Sequence, residues 1–244
     1  MIASGEKISV SVIMPALNEE KDISAAIDSV LGAFLSYKIN GEIIVVDDGS
    51  SDKTAEIVRQ KQSQGGCIRL ISHRSPQGIG ASFWDGVHSS RAEAVVMVPG
   101  DNENKPDEIL RHLPRLGAVD MVVPYVVNIS ARGRLRSILS RLYTFILNHT
   151  FPPGFRYFNG TVVYRKTVLS GISIRSKGFF YQAEILIKVL RKGRLFAEVP
   201  YFIRQKDRGR RRALSWRSFL DVGRCYLNLI KDIYISPPLA DCAK

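Results

Sequence analysis

The sequence predicts an α/β fold: a mostly parallel sheet flanked by helices, with an amphipathic helix near the C-terminus. Short β-branched runs alternate with segments whose apolar residues recur at helical spacing, and this alternation is typical of parallel sheets covered on both faces. In addition, three of the β-branched runs end in polar or acidic residues. Ligands of such sheets bind at the carboxyl ends of the strands, so we expect a functional site at that edge.

The first 130 residues are predicted to contain four strands and four helices. Val and Ile dominate the strands, which are expected at 8–14, 42–48, 67–71 and 94–98. Asn18, followed by Glu19 and Glu20, predicts the start of a first helix whose apolar positions run from Ile23 to Phe34. Further helices are expected at 53–62, 80–90 and 106–116.

Beyond residue 130 the pattern changes. An apolar helical stripe between Leu135 and Ile146 is interleaved with arginines, and 155–164 is aromatic and strand-like. We expect a helix at 180–190, a strand at 195–199 that ends at Pro200, and an amphipathic helix at 214–235. The predicted organisation is one domain over 1–213, made of a mildly acidic half (1–130) and a basic half (131–213), followed by an amphipathic helix and tail over 214–244.

The charge of the chain is distributed unevenly. Residues 1–130 carry 12 Lys and Arg against 17 Asp and Glu, whereas residues 131–244 carry 23 against 6. A basic half favours a polyanionic partner, such as a phosphorylated substrate, an anionic membrane or nucleic acid, although a solvated basic surface is the alternative. Three scattered cysteines exclude a disulfide framework, and neither a secretory signal nor an apolar stretch of about 18 residues is present, so we expect a cytoplasmic protein.

Two carboxylates, Asp101 and Glu103, follow the run at 94–98 directly. Carboxylates on alternate residues of a turn can share Mg²⁺ or Mn²⁺, which completes its shell with substrate phosphates. The alternative is an acidic loop that caps the helix beginning near Pro106. Neither a phosphate-binding P-loop nor a complete dinucleotide fingerprint is present.

Several segments, taken together, resemble a known family. They are 12–20 (VIMPALNEE), 43–54 (IIVVDDGSSDKT), 78–80 (GIG), 100–103 (GDNE), 178–184 (GFFYQAE), 198–200 (EVP) and 208–214 (RGRRRAL). Their order is similar to that of family-2 glycosyltransferases of the GT-A fold, over roughly residues 8–216. The later segments resemble the polyprenyl-phosphate branch, which is dolichol-phosphate mannosyltransferase-like.

The resemblance implies one glycosyltransferase domain over 1–213, in which 1–130 binds the nucleotide sugar and 131–213 binds the acceptor, with an interfacial helix and tail over 214–244. It also implies roles for particular residues. Donor contacts are implied for Pro15, Leu17, Glu19, Asp47, Asp48, Gln77, Gly78, Gly80, Gly100 and Asp101. Contacts with a phosphate or the acceptor are implied for Arg132, Arg134, Arg136, Arg141, Arg208, Arg210, Arg211 and Arg212. Asp101 matches the last acid of the family's D-x-D element, and Pro99 stands where the first acid usually is, so Asp101 and Glu103 are the implied metal ligands. Glu184 is placed near the sugar hydroxyls as a catalytic residue.

The acceptor can also be argued from chemistry. A hydroxyl nucleophile needs a general base, whereas a phosphate monoester is already ionised at neutral pH. A sequence rich in arginine and without an obvious catalytic histidine therefore suits a phosphate nucleophile, which arginine forks hold bidentately. We expect an inverting, metal-dependent glycosyltransferase that moves a hexose from a UDP- or GDP-linked donor to a polyprenyl phosphate. It would lie peripherally on the inner face of the membrane, with 214–235 on the anionic surface or packed against the sheet.

Other functions are compatible with the sequence. A glycosyltransferase with a soluble or glycan acceptor would need a base, for which Asp120 and Glu184 are candidates. The basic half could bind nucleic acid, but no recognisable nucleic-acid motif is present and no such partner is predicted. Pro99, which stands in place of the first acid of the D-x-D element, is also compatible with an inactive relative of the enzyme.

Overall fold

A computed structural model describes residues 9–65, 67–128, 134–152, 154–202, 204 and 216–235, without the side chains of 134–136 and 216–219. Its centre is a seven-stranded sheet. The strands are β1 (Val10–Ala16), β2 (Gly41–Asp47), β3 (Ile68–Ser72), β4 (Ala94–Met97), β5 (Met121–Val126), β6 (Val163–Arg165) and β7 (Phe196–Tyr201). Their order across the sheet is β3-β2-β1-β4-β6-β5-β7.

Eight α-helices connect or follow these strands within the described ranges. They are α1 (Ile23–Ser36), α2 (Thr54–Ser63), α3 (Ile79–Ser89), α4 (Pro106–Leu110), α5 (Arg134–Thr150), α6 (Lys166–Leu169), α7 (Tyr181–Arg191) and α8 (Trp216–Ile230). A 3₁₀ turn at Leu113–Gly117 follows α4, and a π-helical turn at Lys231–Ile235 follows α8.

The sheet is parallel except at β6. Strands β1 to β4 pair in parallel, β6 is antiparallel to both β4 and β5, and β7 is parallel to β5. Six strands therefore end at the same edge of the sheet, and the fold confirms the predicted mostly parallel α/β architecture.

Two apolar layers cover the two faces of the sheet, which explains why every residue of β1 and β2 is buried. Val12 and Met14 of β1 point to the layer formed by α1, α2 and α4, and Ile13 points to the layer that contains α3, α5, α7 and α8. This alternation follows from the period of two residues in a strand.

The two predicted halves share this one sheet, since β6 of the second half lies between β4 and β5. Helix α8 packs on the same core through Leu229, which is buried. A boundary between residues 213 and 214 stays a prediction. None of the helices in the described ranges has both the length and the apolar character that a membrane span requires.

The structure differs from the predicted elements in several places. Helix α1 begins at Ile23 after Asp22, so Asn18 lies in the preceding loop and not at the helix start, and α6 was not predicted. Strand β5 was not predicted. Its Pro124 is tolerated because β6 pairs only with Met121 and Val122. Pro200 lies inside β7 rather than after it, since β7 is an edge strand with one neighbour. Of the aromatic segment 155–164, only the end from Val163 is in a strand, and the helix expected at 106–116 is broken into α4 and a 3₁₀ turn.

We expect the contact between α3 and β1 to be sensitive to one methyl group. A Cβ at Gly86 would overlap Ile13, with its Cγ1 only 2.9 Å away, whereas a Cβ at Gly32, an exposed position in α1, would meet nothing within 4 Å. Gly86→Ala should lower the free energy of unfolding by about 1–3 kcal/mol through overpacking. Gly32→Ala, the matched control, should raise it by up to about 1 kcal/mol through helix propensity. Urea unfolding measures both, and equal effects of the two substitutions would contradict this packing.

Candidate active site

The carboxyl edge of the sheet has a point where the direction of chain winding reverses. The chain runs from β1 outward to β2 and β3, and then returns to place β4 on the other side of β1. In open α/β sheets such a point is where ligands bind. Three loops meet there: 17–22 after β1, 48–53 after β2 and 98–105 after β4.

The first two loops are joined by reciprocal hydrogen bonds. The backbone N–H of Asn18 donates to Ser50 Oγ at 2.9 Å, and the N–H of Ser51 donates to Asn18 Oδ1 at 2.8 Å. Asn18 has a positive φ of 56°, a conformation that asparagine tolerates better than most residues. The N–H of Glu19 donates to Thr54 Oγ1 at 2.8 Å. These bonds hold Asn18 and Glu19, the second of them a predicted donor residue, against the chain that follows β2.

Asp52 also connects the loops that follow β1 and β2. Its carboxylate accepts hydrogen bonds from the N–H of Glu20 and from both the N–H and the hydroxyl of Thr54. Burial acts to raise the pKa of Asp52, but these hydrogen bonds outweigh it and lower the pKa below its ordinary value. The carboxylate therefore stays ionised and keeps accepting these bonds at neutral pH.

The paired acids at the end of β2 are both buried. Asp47 Oδ1 accepts the N–H of Ser50 at 3.1 Å. The carboxylate of Asp48 accepts the N–H groups of Gln77 and Gly78, at 2.7 and 2.9 Å, and its Oδ1 lies 2.7 Å from His73 Nδ1. In this structure Asp48 therefore holds the 73–78 loop, and its implied contact with the donor stays a prediction.

The glycines of the Gly-Ile-Gly segment approach the chain's own backbone. Gly78 has a φ of 100°, and a Cβ there would lie 2.5 Å from the carbonyl oxygen of Lys177. At Gly80, a Cβ would lie 2.6 Å from the carbonyl oxygen of Ser176, and the Gly80 N–H donates to Lys177 O at 2.7 Å. Glycine is therefore needed at both positions because the backbone of 176–177 passes too close for a side chain. The implied close approach of a donor to these glycines stays a prediction.

Glu184 of α7 anchors that passing segment. Its carboxylate accepts the N–H of Arg175 and of Ser176, at 3.1 and 3.0 Å, and the ammonium of Lys188 at 2.6 Å. Burial acts to raise the pKa of Glu184, but the bonds from Lys188, Ser176 and Arg175 prevail and lower it below the ordinary value. Because Glu184 is almost fully buried and so well bonded, its contacts are those of a positioning residue, and its predicted place beside the sugar stays untested.

The predicted metal-binding acids lie on a tight turn directly after β4. The N–H of Gly100 donates to the carbonyl oxygen of Pro15 at 3.0 Å, which brings the turn against the end of β1. Asp101 Oδ1 then accepts the N–H of Glu103 at 3.0 Å, and Asn102 between them has a positive φ of 55°. The two carboxylates are therefore carried by one short, hydrogen-bonded turn.

Tyr201, at the end of β7, and Arg204, just after it, support this turn, and the sequence did not predict these contacts. The guanidinium of Arg204 donates through Nη1 to Asn102 Oδ1 at 2.5 Å. The backbone N–H of Arg204 donates to the carbonyl oxygen of Glu103 at 3.1 Å. Tyr201 donates its hydroxyl proton to Asn104 Oδ1 at 2.6 Å. These partners are about 100 residues apart in the chain, so no local pattern could have indicated them.

The donor set of this turn fits a divalent cation that is shared with a substrate. Mg²⁺ and Mn²⁺ prefer carboxylate oxygens and are commonly held by one or two carboxylates together with phosphate oxygens. Asp101 and Glu103 supply that number. Within the described parts of the chain, no group of three His, Cys, Asp or Glu side chains is placed to hold a metal by itself.

An open cleft of about 250 Å³ lies beside α5. Its lining residues are Ser140, Arg141, Thr144, Phe145, Asn148, Arg156 and Tyr157. The guanidinium of Arg156 lies over the ring of Tyr125, 4.8 Å from its centroid, and Tyr125 is near the carboxyl end of β5. The cleft is therefore at the same edge of the sheet as the acidic turn.

The predicted arginines are only partly described. Arg141 lines the cleft, and Arg156, which was not predicted, lines it as well. The backbone of Arg134 and Arg136 is in the first turn of α5. Arg132 and the run from Arg208 to Arg212 lie outside the described residues.

The position of Asp120 does not fit the role of a base for a hydroxyl acceptor. It directly precedes β5, so it lies at the amino edge of the sheet, opposite the carboxyl edge where the three loops meet. Its Oδ2 accepts the N–H of Leu195, which lies just before β7. Its hydrogen bond thus connects the starts of two strands.

The contacts of Glu184 predict a pH-dependent contribution to stability. A carboxyl whose pKa is lowered in the folded state stabilises the protein above its unfolded pKa, near 4.5, and loses this contribution as the pH falls through the folded value. Glu184→Gln should thus cost most stability at pH 6–7 and progressively less below about pH 4.5. Asp28→Asn, which removes an exposed ion pair with Lys61, is the control and should cost little at any pH. Urea unfolding across this range measures both, and a pH-independent cost at Glu184 would contradict the assignment.

Comparison with known proteins places the chain in a family. The model of glycosyl transferase family 2 matches residues 11–172. The chain is 30% identical over 140 residues, 55% of its length, to a dolichyl-phosphate beta-glucosyltransferase of Trichomonas vaginalis, of which this covers 41%. It is 29% identical over 105 residues, 43% of its length, to a dodecaprenyl-phosphate galacturonate synthase of Rhizobium johnstonii, of which this covers 31%. The chain thus spans about a third to two fifths of the length of these relatives.

A solved structure shares the fold. Glucosyl-3-phosphoglycerate synthase from Mycobacterium tuberculosis, in complex with UDP, superposes with a TM-score of 0.69 at 20% identity, over 91% of this chain and 79% of that one. The same enzyme has been crystallised with Mg²⁺ and UDP. Together with the family match, which covers most of the chain, this similarity shows that the protein belongs to glycosyl transferase family 2 and has the GT-A fold.

Proposed function

We propose that this protein transfers a hexose, with inversion at the anomeric carbon, from a nucleoside diphosphate sugar to a polyprenyl phosphate. The curated relatives support this acceptor, since their names describe transfer to dolichyl and dodecaprenyl phosphates. The observation that carries the proposal is the arginine-lined cleft at the carboxyl edge of the sheet.

The donor is proposed to lie across the ends of β1, β2 and β4. Its nucleoside would contact the loops that begin at Pro15 and Asp47, and its diphosphate would lie at the turn that carries Asp101 and Glu103. A bound Mg²⁺ or Mn²⁺ would neutralise the diphosphate and so improve it as a leaving group. The neighbouring crystal structures with Mg²⁺ or Mn²⁺ and UDP or UDP-glucose are consistent with this placement.

The proposed reaction needs no proton transfer. An oxygen of the acceptor phosphate forms the new bond to the anomeric carbon, while the bond from that carbon to the diphosphate oxygen breaks and the nucleoside diphosphate leaves with the electron pair. Arg141 and Arg156 would hold the attacking phosphate and set its direction of approach. Asp48 and Glu184 would act indirectly, by positioning the loops around the donor.

The carboxylates considered as bases favour this nucleophile over a hydroxyl. Glu184 is buried and bonded to Lys188 and two backbone N–H groups, and Asp120 is at the opposite edge of the sheet. A phosphate monoester avoids the need for either, because it is already ionised at neutral pH.

The enzyme is proposed to work peripherally on the inner, cytoplasmic face of the membrane. The predicted contact with an anionic surface was assigned to 214–235, and in the structure the main apolar side of α8 packs inward through Leu229 and Tyr226. Leu220 and Leu227 remain exposed on its margin, so α8 can pack and still offer apolar side chains to lipid. The absence of a nucleic-acid partner stays a prediction.

A soluble phosphorylated acceptor is the second candidate. One neighbouring structure is of glucosyl-3-phosphoglycerate synthase in complex with phosphoglyceric acid. The cleft beside α5 is open, and its arginines could hold the phosphate of a small molecule as readily as that of a lipid. The choice of acceptor in an assay decides between the two.

Product formation tests the proposed reaction. With a panel of UDP- and GDP-hexoses and a short polyprenyl phosphate, we expect Mn²⁺-dependent formation of a lipid-linked monophosphosugar, detected by mass spectrometry. Asp101→Asn should lower kcat/KM by at least about a hundredfold, because it removes charge at the diphosphate. Asp107→Asn, on the nearby helix α4, is the matched control and should keep most of the activity. Transfer to 3-phosphoglycerate but not to the lipid would favour the second candidate, and no transfer from any donor would refute both.

The acceptor cleft makes a separate prediction. Arg141→Gln should raise the KM for polyprenyl phosphate by about tenfold to a hundredfold, as expected for the loss of a charge-assisted hydrogen bond, with a smaller effect on the KM for the donor. Arg194→Gln, at an exposed site before β7 and at the opposite edge, is the control. Initial rates with each substrate varied in turn separate the two constants. A selective rise in the donor KM would contradict the assignment.

A further inference from the structure

Helix α5 has apolar side chains on the side that faces solvent. Ile138, Leu142, Phe145 and Ile146 are 61%, 52%, 67% and 41% exposed. Their spacing of four, three and one residues puts them on one side of the helix, here called the α5 stripe. The opposite side packs on the core through Leu147, which is 1% exposed, so the stripe is additional to the surface that the fold buries. Contiguous exposed apolar side chains of this kind mark interaction surfaces.

The segment that carries the stripe has charges of only one sign. Between Asp120 and Glu184 the sequence contains nine Lys and Arg and no Asp or Glu. Arg141 is exposed on α5 itself, next to Leu142, and Arg156 is exposed across the cleft. Glu198 of β7 also lies at this border, with its Oε2 3.7 Å from Arg156 Nε, so the border is mainly and not wholly cationic. An apolar stripe with a mainly cationic border matches the interfacial region of an anionic bilayer, where acyl chains lie beneath phosphates.

Helix α8 extends the same combination of side chains. Its Tyr226 hydroxyl lies 2.7 Å from Thr150 Oγ1, so α8 packs beside the C-terminal end of α5. On its outer margin Leu220 and Leu227 are exposed, and Arg224 and Lys231 are exposed as well.

We propose that the α5 stripe is the surface by which this protein lies on an anionic bilayer. In that arrangement, Ile138, Leu142 and Ile146 enter the acyl boundary, and Arg141 and Arg156 lie at the level of the lipid phosphates. This deepens the proposed function and rests on it in one respect: Phe145 belongs to both the stripe and the cleft, so a lipid acceptor could pass from the bilayer into the cleft with its phosphate at the arginines.

A bilayer fits this surface better than a second copy of the chain. A two-fold contact through the stripe would set one cationic border against the same border of the partner, and like charges would oppose association. No such repulsion exists with an anionic lipid surface.

Flotation with vesicles tests the proposal without any sugar donor. The wild-type chain should float with phosphatidylcholine vesicles that contain about a third phosphatidylglycerol, and much less with pure phosphatidylcholine. Ile138→Gln/Leu142→Gln should weaken partitioning to the anionic vesicles by at least about tenfold, because two apolar side chains no longer enter the acyl boundary. Leu35→Gln/Leu195→Gln, which changes two exposed leucines at the opposite edge of the sheet, is the matched control and should leave partitioning unchanged.

Other outcomes are equally informative. Wild-type binding that does not depend on the stripe, or no binding to anionic vesicles at all, would overturn the proposal. So would a wild-type dimer in sedimentation that the stripe variant converts to a monomer while its vesicle binding is unchanged. Transfer to a short, water-soluble polyprenyl phosphate without vesicles should be the same in the wild type and the stripe variant. Failure of that reaction in the wild type, with vesicle binding intact, would refute the proposed function and leave the membrane surface standing.

Discussion

The carbonyl oxygen of Pro15 accepts the N–H of Gly100, and the candidate site depends on this contact between the end of β1 and the chain beyond β4. Proline has no N–H, so the end of β1 offers only an acceptor at that residue. Gly100 can come this close because glycine has no side chain. A Cβ at this position would lie only 2.7 Å from Ile23 Cδ1. The consequence is that Asp101 begins its turn directly beside the loops that follow β1 and β2.

A second set of contacts fixes the 73–78 loop and the 175–177 segment that passes it. The carboxylate of Asp48 holds Gln77 and Gly78, Gly78 packs on Lys177, and the segment before Lys177 is bonded to Glu184. Two buried carboxylates therefore position backbone segments that lie about 100 residues apart in the chain. The conformation of the predicted donor loops depends on α7 as well as on the sheet from which they project, so substitutions at Glu184 can affect donor binding without contact with the donor.

Much of this arrangement was predictable from sequence, because the information is local. β-Branched runs and helical periodicity indicated the parallel sheet, and the polar strand ends indicated its functional edge. What could not be predicted depends on distant partners. Nothing near Tyr201 or Arg204 indicates that they hold the acidic turn, and nothing near Gly80 indicates that its neighbour is Ser176 rather than a ligand. The helical spacing of the apolar residues in α5 was predictable from the sequence. Which of them face solvent was not, because that depends on which side of the helix packs on the core.

Hydrogen exchange with bound nucleotide tests the central claim, that the donor lies where β1, β2 and β4 end. Amide exchange is compared with and without UDP or GDP in the presence of Mn²⁺. The account predicts slower exchange in peptides that cover 15–20, 47–51, 76–80 and 99–104, with little change at 105–117 or in β3. Nucleotide-dependent protection confined to α5 and α8, or spread evenly over the chain, would contradict the assignment of the donor site.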